Sequence, residues 1–230
     1  MSFHNHRVAE AALYFIGGQI LFEHRDHTGA VTKKCISPQA ARAAFAKEPF
    51  DTDWLPPSTC RYGEGPRGTW LMQKFEPGHY DIQLDTPISL SDDSEPINIL
   101  SLPMPGLLFL GLKDEYFLWS YKIWRESHTS LFHTPLPNIY PNGRICFGNT
   151  HSPQAAGTTM PKAWTVFWEA TFSSHLITDK SKSHPANILS KLITLHAERT
   201  ALYPLDDLTP STITLPTIIQ ELTHSKKGLR

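Results

Sequence analysis

The feature that most constrains the fold is a long irregular segment between a block of strands and a block of helices. Residues 133–160 show no regular hydrophobic periodicity and are rich in Pro, Gly and Asn. A loop of this length is uncommon inside a compact domain unless it carries function. Before it, residues 97–102, 106–112 and 115–124 predict an antiparallel β-meander. Because helices are predicted after it, the order of elements indicates an α+β fold.

Two helices are predicted to follow the irregular segment. The first begins at Pro161 with Thr159 as a candidate cap. It carries aromatic residues at helical spacing, and such a stripe predicts packing in the core: Trp164, Phe167, Trp168 and Phe172. The second is predicted from Ser183 to Tyr203, where Pro204 ends it. Residues 216–222 predict one or two further helical turns.

The N-terminal part of the chain predicts a β-rich extension with one short helix. Residues 11–36 predict a β-hairpin with its turn at 24–29. A helix should follow, because Ser37 can cap it, Pro38 suits its first position, and strong helix formers continue to Lys47. This extension precedes the predicted meander.

A stretch rich in proline and glycine follows this helix. Residues 49–68 predict a surface loop, and Cys60 lies within it. Residues 70–75 and 80–84 predict two further strands. We therefore expect Cys60 to lie outside any regular element.

Charge and composition argue against several classes of partner. Lys and Arg number 21 against 22 Asp and Glu, without a block of like charge, so nucleic acid is not an expected partner. No apolar run approaches the roughly 20 residues of a membrane span. Three cysteines are an odd count and suit a reducing compartment, which predicts a cytoplasmic protein with a free thiol. The twelve histidines lack the paired spacing of zinc sites, so neither a metal nor a cofactor is expected.

Residues 135–147, PLPNIYPNGRICF, carry the clearest indication of chemistry. Asn142 and Gly143 are expected to reverse the chain and present Cys146. A cysteine in a partly open loop can carry an acyl group, since its thiol is nucleophilic and a thioester still reacts with amines. The residues alone leave the alternative open that Cys146 is buried packing between Ile145 and Phe147.

The same segment resembles the active-site signature of ubiquitin-conjugating enzymes. That family has a His-Pro-Asn tripeptide, a turn that often contains Asn-Gly, and an Ile-Cys or Val-Cys pair. The chain has Pro137-Asn138, Asn142-Gly143 and Ile145-Cys146 in this order, with eight residues from Asn138 to Cys146. The resemblance implies a ubiquitin-conjugating-like α+β fold, in which the antiparallel meander packs against the C-terminal helices.

The resemblance covers about residues 96–205, which we take as the core. A β-rich region with one short helix, 1–95, would precede it, and a C-terminal tail, 206–230, would follow. The chain length and the phrase at residues 102–109, LPMPGLLF, are similar to a bacterial branch that includes protein B of the PRTRC systems. That likeness implies a ThiF-like adenylating enzyme and a small ubiquitin-like modifier as partners, with an unknown acceptor protein.

Roles for two residues follow from the resemblance. Cys146 would be the nucleophile that receives the modifier from the adenylating enzyme as a thioester and passes it to a lysine amine. Asn138 would support the loop and donate a hydrogen bond to the oxyanion that forms during this transfer. The alternative for Asn138 is that it only satisfies backbone groups of the loop. Pro137, Asn142 and Gly143 would shape the loop.

The chain departs from the family pattern at three places. Leu136 stands where the family usually has histidine. The stretch after Cys146 lacks the acidic residue of many members; its Asn149 and His151 are candidate auxiliary residues, and His151 could act as a base near neutral pH. The family normally begins with a helix that docks the activating enzyme, whereas this chain is predicted to begin with a hairpin.

Functions of other classes stay open at this point. A conjugating-like scaffold would bind a ubiquitin-like protein or a partner enzyme without forming a thioester, but such scaffolds typically lack the cysteine. A structural protein of plasmid maintenance would rest only on the suspected genetic association. A cysteine peptidase has no support, because nothing in the sequence places a His and an Asn or Asp around Cys146.

Overall fold

The computed structural model describes residues 11–17, 19–45, 54–90 and 95–225 of the 230. The chain forms two compact units, Met1–Asp51 and Thr52–Arg230. Among the described residues, no helix is both long and apolar enough to cross a membrane.

The first unit contains a three-stranded antiparallel sheet and a helix: β1 (Ala11–Ile16), β2 (Gln19–Arg25), β3 (Val31–Ile36) and α1 (Pro38–Phe45). The predicted turn lies between β2 and β3, where Asp26 Oδ1 accepts hydrogen bonds from the N–H groups of Thr28 and Ala30. The sequence predicted one strand before this turn, and that prediction is wrong. Gly17 adopts a φ of +56° and the chain reverses there too, so this part of the chain forms the two strands β1 and β2. Ser37 Oγ accepts from the amide of Ala40 at 3.0 Å, which confirms the predicted cap.

The second unit is built on two sheets. The larger has the order β10-β9-β8-β5-β4, with β4 (Thr59–Gly65), β5 (Gly68–Phe75), β8 (Gly106–Leu112), β9 (Glu115–Tyr121) and β10 (Phe132–His133). The smaller has the order β11-β6-β7, with β6 (Gly78–Ile88), β7 (Ile97–Met104) and β11 (Thr171–Phe172). All neighbours are antiparallel except β11 and β6. The predicted strands from residue 70 to 124 are confirmed, but the predicted meander of three paired strands is wrong. Strand β7 pairs with β6 in the smaller sheet, and only β8 and β9 pair with each other, in antiparallel fashion.

Part of the predicted surface loop at 49–68 is a strand instead. Residues 49–53 lie outside the described part of the chain, but β4 pairs with β5 and contains Cys60. Gly63 was interpreted as a loop residue, but a glycine is required there because a side chain would overlap a residue of the neighbouring strand. A Cβ at Gly63 would stand 2.3 Å from the ring of Trp70 on β5.

Three α-helices complete the described part of the second unit: α2 (Met160–Glu169), α3 (Ile188–Ala197) and α4 (Leu215–His224). The predicted start of α2 and the last helix are confirmed. The second predicted helix is shorter than expected. It begins after Asn187, whose Oδ1 accepts from the amide of Leu189 at 2.9 Å, and it ends before Arg199, which has a left-handed φ of +48°.

The large sheet is buried on both faces, so its strands alternate between two cores. Leu107, Phe109 and Leu118 face one core together with α2 and α3, whereas Leu108, Leu110 and Phe117 face the other together with α4. Trp164 of α2 stacks on Phe75 at 3.9 Å between ring centroids, and Trp168 stacks on Tyr80 at 4.1 Å. The aromatic residues of α2 therefore pack in the core, as predicted. Phe172 is also buried, but it lies in β11 and not on the helix, where the sequence placed it.

The fold is α+β, with antiparallel sheets packed against helices, as the sequence predicted. The division into 1–95, 96–205 and 206–230 stays a prediction. In the structure β6, which precedes residue 95, pairs with β7, which follows it.

Candidate active site

Residues 138–146 form a narrow bend that brings its two ends together. Ile139 and Ile145 form an antiparallel bridge, and the amide of Tyr140 donates to the carbonyl of Arg144 at 2.8 Å. The chain turns at Pro141 and Asn142, and the amide of Gly143 donates back to the Tyr140 carbonyl at 2.8 Å. These bonds fix the separation of the two arms, which carry Asn138 and Cys146.

The returning arm of the bend is bound along the edge of β9. The amide of Leu118 donates to the Gly143 carbonyl, and the amide of Ile145 donates to the Tyr116 carbonyl, both at 2.8 Å. Arg144 bridges Phe117 in antiparallel fashion. The segment 143–145 therefore continues the edge of the large sheet beside β10, and the sheet holds Cys146 in place.

Gly143 is required at this position by both backbone and packing. Its φ is +85°, a conformation that side-chain-bearing residues rarely adopt. A Cβ there would stand 2.4 Å from a ring carbon of Trp119, which is fully buried in the core. The glycine thus lets the bend lie directly on the indole.

Asn138 and Cys146 are joined through the main chain. The amide of Cys146 donates to the carbonyl of Asn138 at 2.8 Å. Asn138 itself has a left-handed φ of +59°, which asparagine tolerates better than most residues. Any shift of the Asn138 backbone is therefore transmitted to the cysteine.

The Asn138 side chain ties the loop to the segment after α2. Its Nδ2 donates to the carbonyl of Thr171 at 3.2 Å, and its Oδ1 accepts from Ser173 Oγ at 3.0 Å. Its backbone amide donates to the carbonyl of His175 at 2.9 Å. An asparagine amide has two hydrogens, and the bonds among the described residues use one of them. The side chain therefore anchors the loop and keeps one hydrogen for a further acceptor.

Substitution of Asn138 should separate its backbone role from its side-chain role. Both Asn138→Ala and Asn138→Gly remove the bonds to Thr171 and Ser173, but only alanine also strains the left-handed backbone. We expect the alanine variant to be less stable than the glycine variant by about 1 kcal/mol of unfolding free energy. Urea denaturation of the two variants measures this difference. Equal stabilities would show that backbone strain at residue 138 contributes nothing.

Cys146 is half-buried and its thiol is free. Among the described residues Cys60 is also free and half-buried, whereas Cys35 is free and exposed. Ile145, the neighbour of Cys146, points into the core, and the ring of Phe147 packs edge-on against Tyr116 at 5.9 Å. The side chain of Cys146 is thus neither enclosed in the core nor fully in solvent. Cys60 differs, because its Sγ lies 3.6 Å from the Met72 carbonyl and burial raises the pKa of its thiol.

Lys180 contacts the arm of the bend that carries Asn138. Its side chain is almost fully buried, and its Nζ donates to the carbonyl oxygens of Leu136 and Ile139, both at 2.6 Å. Leu136 itself is fully buried, so its side chain fills the core without a polar contact. A cavity of about 250 Å³, lined in part by Lys180, His133 and Asp179, adjoins the ammonium group.

Burial lowers the pKa of Lys180 to about 7. Burial also lowers the pKa of nearby His133, and the charge of Lys180 lowers it further, while Asp179 opposes this. In the unfolded chain Lys180 keeps its ordinary pKa of 10.5. Between pH 7 and 10.5 the unfolded state therefore binds more protons than the folded state, and stability rises with pH across this window.

We expect this rise to disappear in Lys180→Met. The lowering of the Lys180 pKa from 10.5 to about 7 corresponds to a change of at most about 5 kcal/mol in the unfolding free energy, at about 1.4 kcal/mol per unit of pKa. Unfolding free energies of the native chain and the variant, measured from pH 6.5 to 10.5, give the comparison, and titrating groups that Lys180 does not affect cancel between the two. Parallel pH curves would mean that Lys180 titrates normally in the folded protein.

The two candidate auxiliary residues lie on the segment after Cys146. Asn149 and His151 are both exposed. Ser152 Oγ donates to the carbonyl of Asp114 at 2.9 Å, and Tyr116 Oη donates to that of Pro153 at 2.8 Å, so this segment runs toward the turn between β8 and β9. In the hydrogen bonds of the described residues, neither Asn149 nor His151 bonds to Cys146 or Asn138.

Sequence reasoning missed the groups that hold the loop from other parts of the chain. Thr171, Ser173 and His175 follow α2, and Lys180 lies further on, in a polar stretch without any recognisable motif. Nothing in the local sequence marks these contacts, since they join residues more than 30 positions apart. Among the described residues, no group of three or more His, Cys, Asp or Glu side chains could hold a metal ion.

Comparison with known proteins gives one finding. The model of a protein family described as prokaryotic E2 family D matches residues 33–211. The match includes Cys146 and its loop, and it begins well before residue 96, where the resemblance of the motif region was taken to start. No curated protein and no solved structure matches the chain.

Proposed function

Because the chain belongs to prokaryotic E2 family D, we propose that Cys146 accepts a ubiquitin-like modifier as a thioester and transfers it to an amine. Proteins of E2-like families act in general with a ubiquitin-like modifier and an adenylating enzyme. The observation that carries the proposal is the position of Cys146. It is a free, half-buried thiol at the end of a bend that β9 holds on one side and Asn138 on the other.

The proposed reaction has two acyl transfers. In the first, the Cys146 thiolate attacks the activated carbonyl carbon at the C-terminus of the modifier. A new C–S bond forms as the bond to the leaving group breaks: the adenylating enzyme's cysteine leaves as a thiolate if the modifier arrives as a thioester, and AMP leaves if it arrives as an acyl adenylate. In the second, an uncharged amine attacks the thioester carbonyl. A C–N bond forms, the C–S bond breaks, and Cys146 leaves as the thiolate.

The second transfer releases one proton from the attacking amine. Asn149 and His151 are our candidates for assisting this step, because they follow Cys146 closely and are exposed. An imidazole can accept a proton near neutral pH. Asn138 contributes by holding the Cys146 amide, and its second Nδ2 hydrogen is the proposed donor to the developing oxyanion.

A binding scaffold without thioester chemistry is the second candidate. It is favoured by the bonds of the Asn138 side chain to Thr171 and Ser173, which give this residue a purely structural use. A scaffold would bind the modifier or the adenylating enzyme with the same surface and leave Cys146 unmodified.

We further propose that the chain is of the PRTRC protein B type and that its partner is a ThiF-like adenylating enzyme. The test combines the protein with a ThiF-like adenylating enzyme and a ubiquitin-like protein of a PRTRC system, with and without ATP. The enzyme hypothesis predicts an ATP-dependent adduct of one modifier that a thiol reductant releases. Stable binding of the modifier without any adduct would instead establish the scaffold.

A further inference from the structure

The bend that carries Cys146 is held by five hydrogen bonds to the chain that follows α2. Two are the side-chain bonds of Asn138 to Thr171 and Ser173. In the third the carbonyl of His175 accepts the amide hydrogen of Asn138, and the last two are the Lys180 bonds to the carbonyl oxygens of Leu136 and Ile139. These two carbonyls lie two residues before and one residue after Asn138. Lys180 thus holds residues 136–139, and within this stretch the Asn138 carbonyl accepts the amide hydrogen of Cys146.

Lys180 is itself held in a rigid setting. The amide of Asp179, on one side, donates to the carbonyl of Pro185 at 2.7 Å, and Asp179 has a left-handed φ of +60°. On the other side, Ser181 Oγ donates to Oδ2 of the buried Asp207 at 2.7 Å, and the amide of Ser183 donates to its Oδ1 at 2.8 Å. Tyr203 Oη also donates to Oδ2 at 3.2 Å. The backbone on both sides of the lysine is therefore fixed.

A buried lysine in this position is not explained by stability alone. Taking its charge out of water costs free energy, and no carboxylate forms an ion pair with it among the described residues. What Lys180 provides is a pair of donors aimed at two carbonyls of an irregular segment. An amine can donate to both in either charge state, because even the neutral form keeps two hydrogens.

We propose that Lys180 is the positioning residue of the Cys146 site. By holding the carbonyls of Leu136 and Ile139, it fixes the Asn138 backbone, and through the Asn138 carbonyl it fixes the amide and the side-chain direction of Cys146. Lys180 acts through these residues and does not touch the reacting atoms. The inference rests on the proposed function for its catalytic consequence, whereas its structural consequence can be measured independently.

The experiment compares Lys180→Met with Lys182→Met. The second variant is a matched control, because Lys182 is exposed and its Nζ donates to the carbonyl of Asp206 and not to the bend. The first measurement is hydrogen exchange at the amides of Asn138 and Cys146. We expect exchange at least tenfold faster in Lys180→Met, with unchanged protection in β8, and native rates in Lys182→Met.

The second measurement is the single-turnover discharge of the Cys146 thioester by free lysine. We expect Lys180→Met to slow discharge about tenfold without changing the lysine concentration at half-maximal rate, since the variant misplaces the thioester and leaves amine access intact. Lys182→Met should match the native chain. A general loss of structure would speed hydrogen exchange in β8 as well, and that result would overturn a local positioning role.

Two further outcomes keep the inferences separable. If Lys180→Met does not fold, Lys180→Gln replaces it, because an amide can still donate to one carbonyl and should give intermediate values of both rates. Native exchange and native discharge in the folded variant would overturn the role of Lys180. If the native chain forms no thioester, the proposed function fails, and the exchange measurement alone decides whether Lys180 fixes the bend.

Discussion

Cys146→Ser is expected to convert the adduct with the modifier into one that resists thiol reductant, and Cys146→Ala is expected to form no adduct. A serine hydroxyl can attack an activated carbonyl, although more slowly than a thiolate, and the resulting oxygen ester does not exchange with thiols. Alanine offers no nucleophile at all. Mass spectrometry of the intact protein, before and after reductant, distinguishes the three forms by the mass of one modifier.

The other two cysteines supply the controls for this experiment. Cys35 is exposed on β3, and Cys60 lies in β4 with its thiol directed at the Met72 carbonyl. Cys35→Ala and Cys60→Ala should both keep the reductant-labile adduct at the native level. Acceptance of the modifier by Cys146→Ala would rule out Cys146 as the acceptor and overturn the proposed function.

Gly143→Ala is expected to give the largest loss of stability among substitutions in the bend. The new methyl group would overlap the buried Trp119 ring, and it would also strain a backbone with a φ of +85°. Overpacking costs roughly 1–3 kcal/mol and a left-handed alanine roughly 1–2 kcal/mol. We therefore expect a loss of about 3 kcal/mol in unfolding free energy, measured by urea denaturation.

Gly148→Ala is the matched control for this substitution. Gly148 also has a positive φ, +59°, but a Cβ there would meet nothing within 4 Å. It should therefore report backbone strain alone, with a loss of about 1 kcal/mol. If the two alanine variants are equally stable, then the indole of Trp119 moves aside freely and the packing argument for Gly143 is wrong.

The sequence was most informative where the signal was periodic. Strands β5 to β9 and the start of α2 could be predicted, because the spacing of apolar residues along the sequence indicates which face of a strand or helix is buried. The prediction was wrong where a glycine serves a distant neighbour: Gly63 was interpreted as part of a loop, yet it gives room to Trp70 within a strand. Gly17 had the opposite effect, since it introduced a turn inside an apolar run.

The candidate site was predictable only in part, for a similar physical reason. The motif placed Asn138 and Cys146 on one bend, and their roles there stay predictions. The groups that hold the bend could not be inferred, because Ser173 and Lys180 reach it through space and have no fixed spacing from it in sequence. A lysine in a polar stretch is normally a solvated side chain, so its burial becomes evident only in the folded chain.

The arm of the bend that carries Cys146 does more than hold the cysteine, because it also covers part of the edge of β9. Its bonds to Tyr116 and Leu118 occupy main-chain groups on a strand edge whose side chains are almost entirely apolar. An unoccupied edge of this kind is a template for pairing with another molecule and hence for aggregation. The segment that presents the thiol therefore also covers part of this edge, and loosening it should expose these main-chain groups to pairing with a second chain.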